Sequence, residues 1–101
     1  MNGILGAFSA YQNNVYEGEK KLKLPGLENY SNDQIFFMGF GMIWCSLYTN
    51  DGLVQQLNDI HPPGYIRAIM TLRHFDEFAK SWNCNKSTYM NPDKKCKLWV
   101  D

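Results

Sequence analysis

The sequence predicts a mainly α-helical protein, a small bundle of three to five helices with long irregular connections. Three observations predict this class: apolar residues recur at helical spacing, a helix-start signal precedes the most apolar stretch, and Pro-Gly clusters separate the periodic segments. The chain has 101 residues, of which 45% are hydrophobic and 15% aromatic, so it must pack a core and has room for one domain at most. That core need not be complete within these residues.

The first helix is predicted from Ile4 to Tyr16, where apolar side chains recur at helical spacing, and Gly18 is expected to end it. The next segment, residues 17–30, is charged and contains a Leu-Pro-Gly-Leu turn. We therefore expect residues 17–30 to form an exposed connection between helices.

Ser31 and Gln34 match a capping box, which predicts that a helix begins there. Apolar residues then cover nearly the full helix circumference as far as Tyr48, and such a helix must be surrounded by protein. A chain of this length has few other helices to cover it. We therefore expect part of its surface to stay exposed or to be buried by self-association.

Thr49 or Asn50 can cap a short amphipathic helix that ends near Asn58. The Pro-Pro-Gly triplet at residues 62–64 then breaks the chain. Residues 65–72 are mixed apolar and are compatible with either a helix or an extended segment.

The last predicted helix carries four apolar residues at one-sided helical spacing: Phe75, Phe78, Ala79 and Trp82. Residues 83–101 are polar, with an Asn-Pro step and a run of lysines, and we expect an irregular tail.

Charge and hydropathy exclude several classes of partner. Lys+Arg and Asp+Glu number 10 each, so no basic face is available to nucleic acid. The longest apolar stretch, Ile35 to Cys45, is about half of the roughly 20 residues that span a bilayer, and we expect no membrane-spanning segment. No secretion signal follows Met1, and any leader or anchor is expected upstream.

The chain has three cysteines, Cys45, Cys84 and Cys96, and this odd number excludes a closed disulfide framework. Their spacing does not match a zinc ribbon or a Cys-x-x-Cys motif. Cys45 falls within the apolar helix, which favours a structural or disulfide-bonded cysteine. Two sequons, at Asn29 and Asn85, permit N-glycosylation in a secretory compartment.

The most informative residues for chemistry are Asp59, His61 and Arg67. The prolines after His61 hold it in an extended loop, and Asp59 can bind one ring nitrogen and favour the charged imidazole. Arg67 adds a planar set of donors, so the three residues can bind a peptide carbonyl and its oxyanion. The alternative is an ordinary surface turn with a solvated arginine. His74 is expected to be a capping or exposed histidine, and no metal site is predicted.

Four blocks of residues stand in a fixed order between about Ala10 and Trp99: Leu24 to Leu27; Asn32 to Phe37 through Trp44 and Cys45; His61 to Gly64 through Arg67 and Thr71-Leu72; and Glu77-Phe78, Cys84, Met90 to Pro92, Lys95-Cys96 and Trp99. Together they resemble the neprilysin and endothelin-converting-enzyme group of zinc endopeptidases. None of the blocks is a common motif alone, so the resemblance is specific.

The resemblance implies that residues 1–101 are the C-terminal part of a larger helical peptidase domain, extracellular or at the cell surface, that cleaves short peptides before hydrophobic residues. In that group a zinc-bound water, activated by the glutamate of His-Glu-x-x-His, attacks the peptide carbonyl. The resemblance also implies that His61 stabilises the oxyanion, that Asp59 supports His61, and that Arg67 holds a substrate carbonyl.

This chain departs from that pattern because it contains neither His-Glu-x-x-His nor the later glutamate ligand. Asn2-Gly3 resembles the stretch just after the last ligand motif, so we expect the chain to begin past the metal site. It would then hold no zinc itself and catalyse nothing alone. Its partners would be the remainder of the peptidase domain, which supplies the zinc and, through it, peptide substrates.

By the same resemblance, Cys45, Cys84 and Cys96 pair with cysteines upstream of this chain and are orphaned here. Two other interpretations remain open. One is a naturally short, non-catalytic relative that acts as a binding or antigenic protein. The other is an unrelated small helical domain.

Overall fold

The computed structural model describes residues 2–97, which form five α-helices joined by irregular segments. The helices are α1 (Asn2–Asn14), α2 (Asn32–Ile43), α3 (Asn50–Leu57), α4 (Gly64–Arg73) and α5 (Asp76–Ser81). The mainly α-helical class is thereby confirmed. Trp99 and the end of the predicted tail, residues 98–101, lie outside the described residues.

The predicted start of α2 is confirmed by its hydrogen bonds. The Ser31 hydroxyl accepts from the backbone N–H of Gln34 at 3.1 Å, and the Gln34 side chain accepts from the Ser31 N–H at 2.9 Å. The prediction that α2 continues to Tyr48 is wrong, because the helix ends at Ile43. Two glycines in its last turns, Gly39 and Gly41, weaken the helix there, since glycine is a poor helix former.

The first helix also ends earlier than predicted, at Asn14 rather than Tyr16. The Asn14 side-chain amide donates to the carbonyl of Ala10 at 2.7 Å, so the last residue of the helix bonds back to the preceding turn. Asn13, Asn14 and Val15 are poor helix formers, which favours the end of the helix at this point. A single 3-10 turn, Glu19–Lys21, lies within residues 17–30, and all of these residues except Leu27 are exposed.

The Thr49 hydroxyl caps α3 by accepting from the Gly52 N–H at 3.1 Å, as predicted. Residues 65–72, which the sequence left open, are helical within α4. The last helix is shorter than predicted, since Phe75 and Trp82 are its two cap residues. After it, Asn83 adopts φ 51° while the Cys84 N–H donates to the Ala79 carbonyl at 2.9 Å, a Schellman-type helix end.

An aromatic cluster forms the core where α1, α2 and α5 meet. Phe37 of α2 is 2% exposed, and the ring of Phe8 stacks on it with centroids 5.2 Å apart. Phe75 and Phe78 meet Phe37 edge-on at 5.7 and 5.5 Å. Ile4, Leu72 and Ala79 complete the buried set. Helix α2 is therefore covered on the face that carries Phe37.

The opposite end of α2 and the residues after it remain uncovered, as expected for part of that apolar helix. Helix α3 contains no buried residue. Six large apolar side chains are more than half exposed in this region: Met42, Ile43, Leu47, Val54, Leu57 and Ile60. None of the helices in residues 2–97 is both long enough and apolar enough to span a membrane.

Candidate functional site

The loop between α3 and α4 carries the predicted Asp59 and His61. Helix α3 ends at Leu57, and the Asn58 N–H donates back to carbonyls of its last turn. The Gln56 side chain donates to the carbonyl of His61 at 3.2 Å. This bond ties the loop to the end of α3. The two prolines that follow His61 restrict its backbone to an extended conformation.

Asp59 and His61 contact each other directly. The Asp59 Oδ1 accepts from the His61 backbone N–H at 2.8 Å and lies 3.2 Å from the ring Nδ1. The backbone N–H bond, followed by the ring contact, lowers the pKa of Asp59 below its ordinary value. Both side chains are about half exposed. Nδ1 therefore faces a carboxylate that is ionised at neutral pH, and Nε2 is the ring nitrogen left for another partner.

The structure places Arg67 near this loop but in different surroundings. Its guanidinium carbon lies 4.0 Å from the centroid of the Trp44 ring, a cation–π contact. None of the ion pairs among residues 2–97 includes Arg67, although its charge adds slightly to the lowering of the Asp59 pKa. Asp59 and His61 are thus paired, whereas Arg67 is held by an aromatic ring.

A tight contact fixes the start of α4 against the segment that holds Trp44. A Cβ atom on Gly64 would lie 2.8 Å from the Trp44 carbonyl oxygen and 3.1 Å from the Ser46 hydroxyl. Gly64 is buried, and glycine alone allows this approach. The position of Arg67 over the indole therefore depends on Gly64.

A cavity of about 520 Å³ lies beside Arg67. Its lining is mostly apolar and includes Phe40, Trp44, Ile66 and Met70. Asp59 and His61 are outside the lining. The sequence analysis missed Trp44 and Met70 as site residues. Because Arg67 and Met70 stand at i and i+3, helical spacing would have revealed them together had residues 65–72 been predicted as a helix.

His74 also borders this cavity and ends α4 as its C-cap residue. Its Nδ1 accepts from the backbone N–H of Cys96 at 3.1 Å, which ties the tail to α4. This bond joins residues 22 apart and has no local sequence signal.

Cys45, Cys84 and Cys96 form no disulfide with one another in the structure. Cys45 was expected inside the apolar helix, but it lies beyond the end of α2 and is exposed because the helix stops at Ile43. Cys96 is exposed and Cys84 is half-buried. Asn29 and Asn85, the two sequon asparagines, are exposed. Among residues 2–97, no three His, Cys, Asp or Glu side chains are placed to hold a metal ion.

Comparison with known proteins gives consistent matches along the chain. The model of the family described as Peptidase family M13 matches residues 1–98. Human neprilysin is 45% identical over 101 residues, which cover 97% of this chain and 13% of neprilysin. Neprilysin-11 of Caenorhabditis elegans is 39% identical over 98 residues, covering 96% of the chain and 12% of that protein.

An endothelin-converting enzyme homolog of Locusta migratoria is 37% identical over 98 residues, covering 96% of the chain and 13% of the insect protein. The chain thus spans about an eighth of the length of the relatives it matches.

Proposed function

Since the chain belongs to peptidase family M13, a family of neprilysin-type metallopeptidases, we propose that it supplies the oxyanion-stabilising and substrate-binding part of a peptidase site. In this proposal the chain is the C-terminal part of a zinc endopeptidase domain that hydrolyses short peptides. The contact between Asp59 and His61 is the observation that carries it.

The geometry of this pair suits an oxyanion. When Nδ1–H donates to Asp59, Nε2 can donate outward only if the ring is protonated on both nitrogens. A tethered imidazolium would then donate a charge-assisted hydrogen bond to the oxygen of a peptide carbonyl under attack. His61 would act as the donor, and Asp59 would orient it.

Arg67 would bind a substrate carbonyl from its place above Trp44. The indole face supports one side of the guanidinium without using its N–H groups, so the in-plane donors are left for a backbone oxygen. The adjoining apolar cavity of about 520 Å³ has room for a large apolar side chain of the same peptide. This arrangement supports cleavage beside hydrophobic residues.

The described residues do not form a zinc site, because no cluster of three possible ligands occurs among them. We therefore propose that the zinc ligands come from the remainder of a longer peptidase domain. The isolated chain should bind no stoichiometric zinc and hydrolyse no peptide. An extracellular or cell-surface location, by similarity to the relatives, is part of the same proposal.

The exposed apolar surface between residues 42 and 60 supports a missing partner. Leu47 is 100% exposed and Ile60 92% exposed. Fully burying one such side chain is worth about 1.5–3 kcal/mol. We infer that the remainder of the peptidase domain covers this surface.

A chimera provides the direct test. This chain would replace the matching segment of human neprilysin, and peptide hydrolysis would be measured for the chimera and its variants. We expect His61→Ala to lower kcat by roughly 10²–10³ with little change in KM, as for loss of one oxyanion donor. Arg67→Ala should mainly raise KM.

Gln55→Ala, on the exposed surface of α3, is the matched control and should leave both constants within about twofold. Elemental analysis of the isolated chain would show whether it retains zinc. An active chimera in which His61→Ala has no kinetic effect would contradict the proposed role, as would peptide hydrolysis by the isolated chain.

A further inference from the structure

The two sequons, far apart in the chain, lie at one edge of the molecule. The ring of Tyr30, the middle residue of the Asn29 sequon, lies 6.2 Å from that of Trp82. Trp82 ends α5, three residues before Asn85. The Gln34 side chain also donates to the Ser81 carbonyl at 2.9 Å, which joins the start of α2 to the end of α5. The sequons therefore flank the same helix ends.

We propose that this edge faces solvent in the mature protein and that Asn85 carries an N-linked oligosaccharide. The inference rests on the extracellular location proposed above, since the modifying enzyme acts in the secretory compartment. Asn85 is exposed, and Lys86 and Ser87 complete its sequon.

The loop around Asn85 keeps its shape through other groups. The Asn85 backbone carbonyl accepts from the Thr88 hydroxyl at 2.7 Å, and the Ser87 hydroxyl donates to Asp93 at 2.9 Å. The neighbouring Asn91 side chain, in contrast, donates to the Cys84 carbonyl at 2.8 Å and is half-buried. A sugar on the Asn85 amide would therefore leave the bonds that define this loop in place.

The modification itself is a substitution at the sugar. The Asn85 Nδ2 releases a proton to solvent and forms a bond to the anomeric carbon of a lipid-pyrophosphate-linked oligosaccharide. The bond between that carbon and the pyrophosphate oxygen breaks, and its electron pair leaves with the lipid pyrophosphate. Trp82, three positions before Asn85, and Tyr30 together offer apolar ring surface, the kind of amphipathic surface on which a sugar ring can pack.

The position is compatible with the peptidase proposal. The uncovered apolar surface begins with Met42 at the far end of α2 from Ser31, and a helix of 12 residues is about 18 Å long. Asn85 is also absent from the lining of the cavity at Arg67. An oligosaccharide on Asn85 would thus leave both the proposed domain contact and the substrate cavity free.

The test is expression of the full chain behind a cleavable secretion leader in animal cells, with total cell and medium protein analysed by gel shift and mass spectrometry. We expect a higher-mass species that an N-glycosidase converts to the unmodified mass. Asn85→Gln should remove the Asn85 glycan, and Ser87→Ala should do the same. Ser87→Thr should retain it because threonine preserves the sequon.

Asn58→Gln is the matched control, since Asn58 is exposed but lies outside any sequon. Analysing total protein keeps the test valid for a variant that fails to fold. A chain with no glycan, or one modified at Asn29 alone, would overturn the inference.

The outcome is separable from that of the peptidase proposal. An unmodified Asn85 in an active neprilysin chimera would overturn only this inference. A glycan at Asn85 in an inactive chimera would contradict only the peptidase role.

Discussion

Two regions of this chain contain similar apolar side chains and bury them to different extents. The aromatic core at α1, the first part of α2 and α5 encloses Phe37 to 2% exposure. The uncovered region, from Met42 to Ile60, leaves large aliphatic side chains open to water, with Leu47 fully exposed. The difference teaches that apolar content alone does not build a core, because burial requires facing elements.

The facing elements explain the contrast. In the aromatic core, α2 meets α1 on one side and α5 on another, so each ring has a neighbour. In the uncovered region, α2 ends at Ile43 and α3 lies without a helix packed over its apolar residues within residues 2–97. We therefore expect substitutions in the core to change folding and substitutions in the uncovered region to change association.

Phe37→Ala should have the largest effect, a loss of about 3–5 kcal/mol in the free energy of unfolding. The change removes the most buried ring of the aromatic core. In a small chain with little stability to spare, that loss should abolish cooperative unfolding, as followed by circular dichroism in urea. Leu47→Ala is the control and should change the unfolding free energy by less than about 0.5 kcal/mol. Equal losses of unfolding free energy in the two variants would contradict the proposal that only the aromatic core stabilises the fold.

Replacing Leu47 and Ile60 together by serine should weaken self-association. We expect the reduced chain to associate through this surface and to bind a hydrophobic dye. Since burying each side chain is worth about 1.5–3 kcal/mol, the association constant should fall by roughly tenfold or more per substitution, measured by sedimentation or light scattering. Serines at Leu22 and Leu24, which are exposed in the connection 17–30, provide the control. A wild-type chain that is monomeric and binds no dye would contradict this prediction.

Gly64→Ala tests the contact that joins the two regions. The new Cβ would meet the Trp44 carbonyl oxygen at 2.8 Å, and because that atom is backbone it cannot move aside easily. We expect a loss of about 1–3 kcal/mol, measured by urea unfolding. Gly39→Ala, in α2 with open space around it, should instead stabilise the chain by about 0.5–1 kcal/mol. If both substitutions stabilised the chain, the result would contradict the close approach of Gly64 in α4 to the Trp44 carbonyl.

The smallest expected effect is a pH dependence of the free energy of unfolding that arises from the ion pair between Asp76 of α5 and Lys95. Lys95 Nζ donates to Asp76 at 2.7 Å, and this bond lowers the pKa of Asp76. Because the pKa of Asp76 is lowered in the folded state, the ion pair stabilises the protein at pH values above the ordinary aspartate pKa of about 3.9. This stabilisation is lost as the pH falls from that value through the lowered pKa.

Because Asp76 is about half exposed, the contribution should stay below about 1 kcal/mol. Unfolding measured at pH 7 and pH 3 should show a smaller pH difference in Asp76→Asn. Lys95→Gln should reduce the difference similarly. An unchanged pH dependence in both variants would show that this ion pair does not contribute to it.

Several features of the fold were predictable from neighbouring residues. The capping box at Ser31, the cap at Thr49 and the break at residues 62–64 involve contacts within a few positions, and all three are present in the structure. The ends of α1 and α2 were predicted too late, because apolar spacing continues past the point where the backbone leaves the helix. The contact of Asp59 with His61 is equally local, while the catalytic roles of these residues stay predictions.

The sequence by itself determined the helical class, the starts of α2 and α3 and the local geometry of the Asp59 loop, since these depend on residues close together in the chain. Only the tertiary structure decided that residues 65–72 are helical, that Arg67 lies over Trp44, and which end of α2 is covered. Those features depend on contacts between distant segments. These contacts are stabilised by burial of apolar surface against a segment far away in the sequence, and local patterns do not identify that segment.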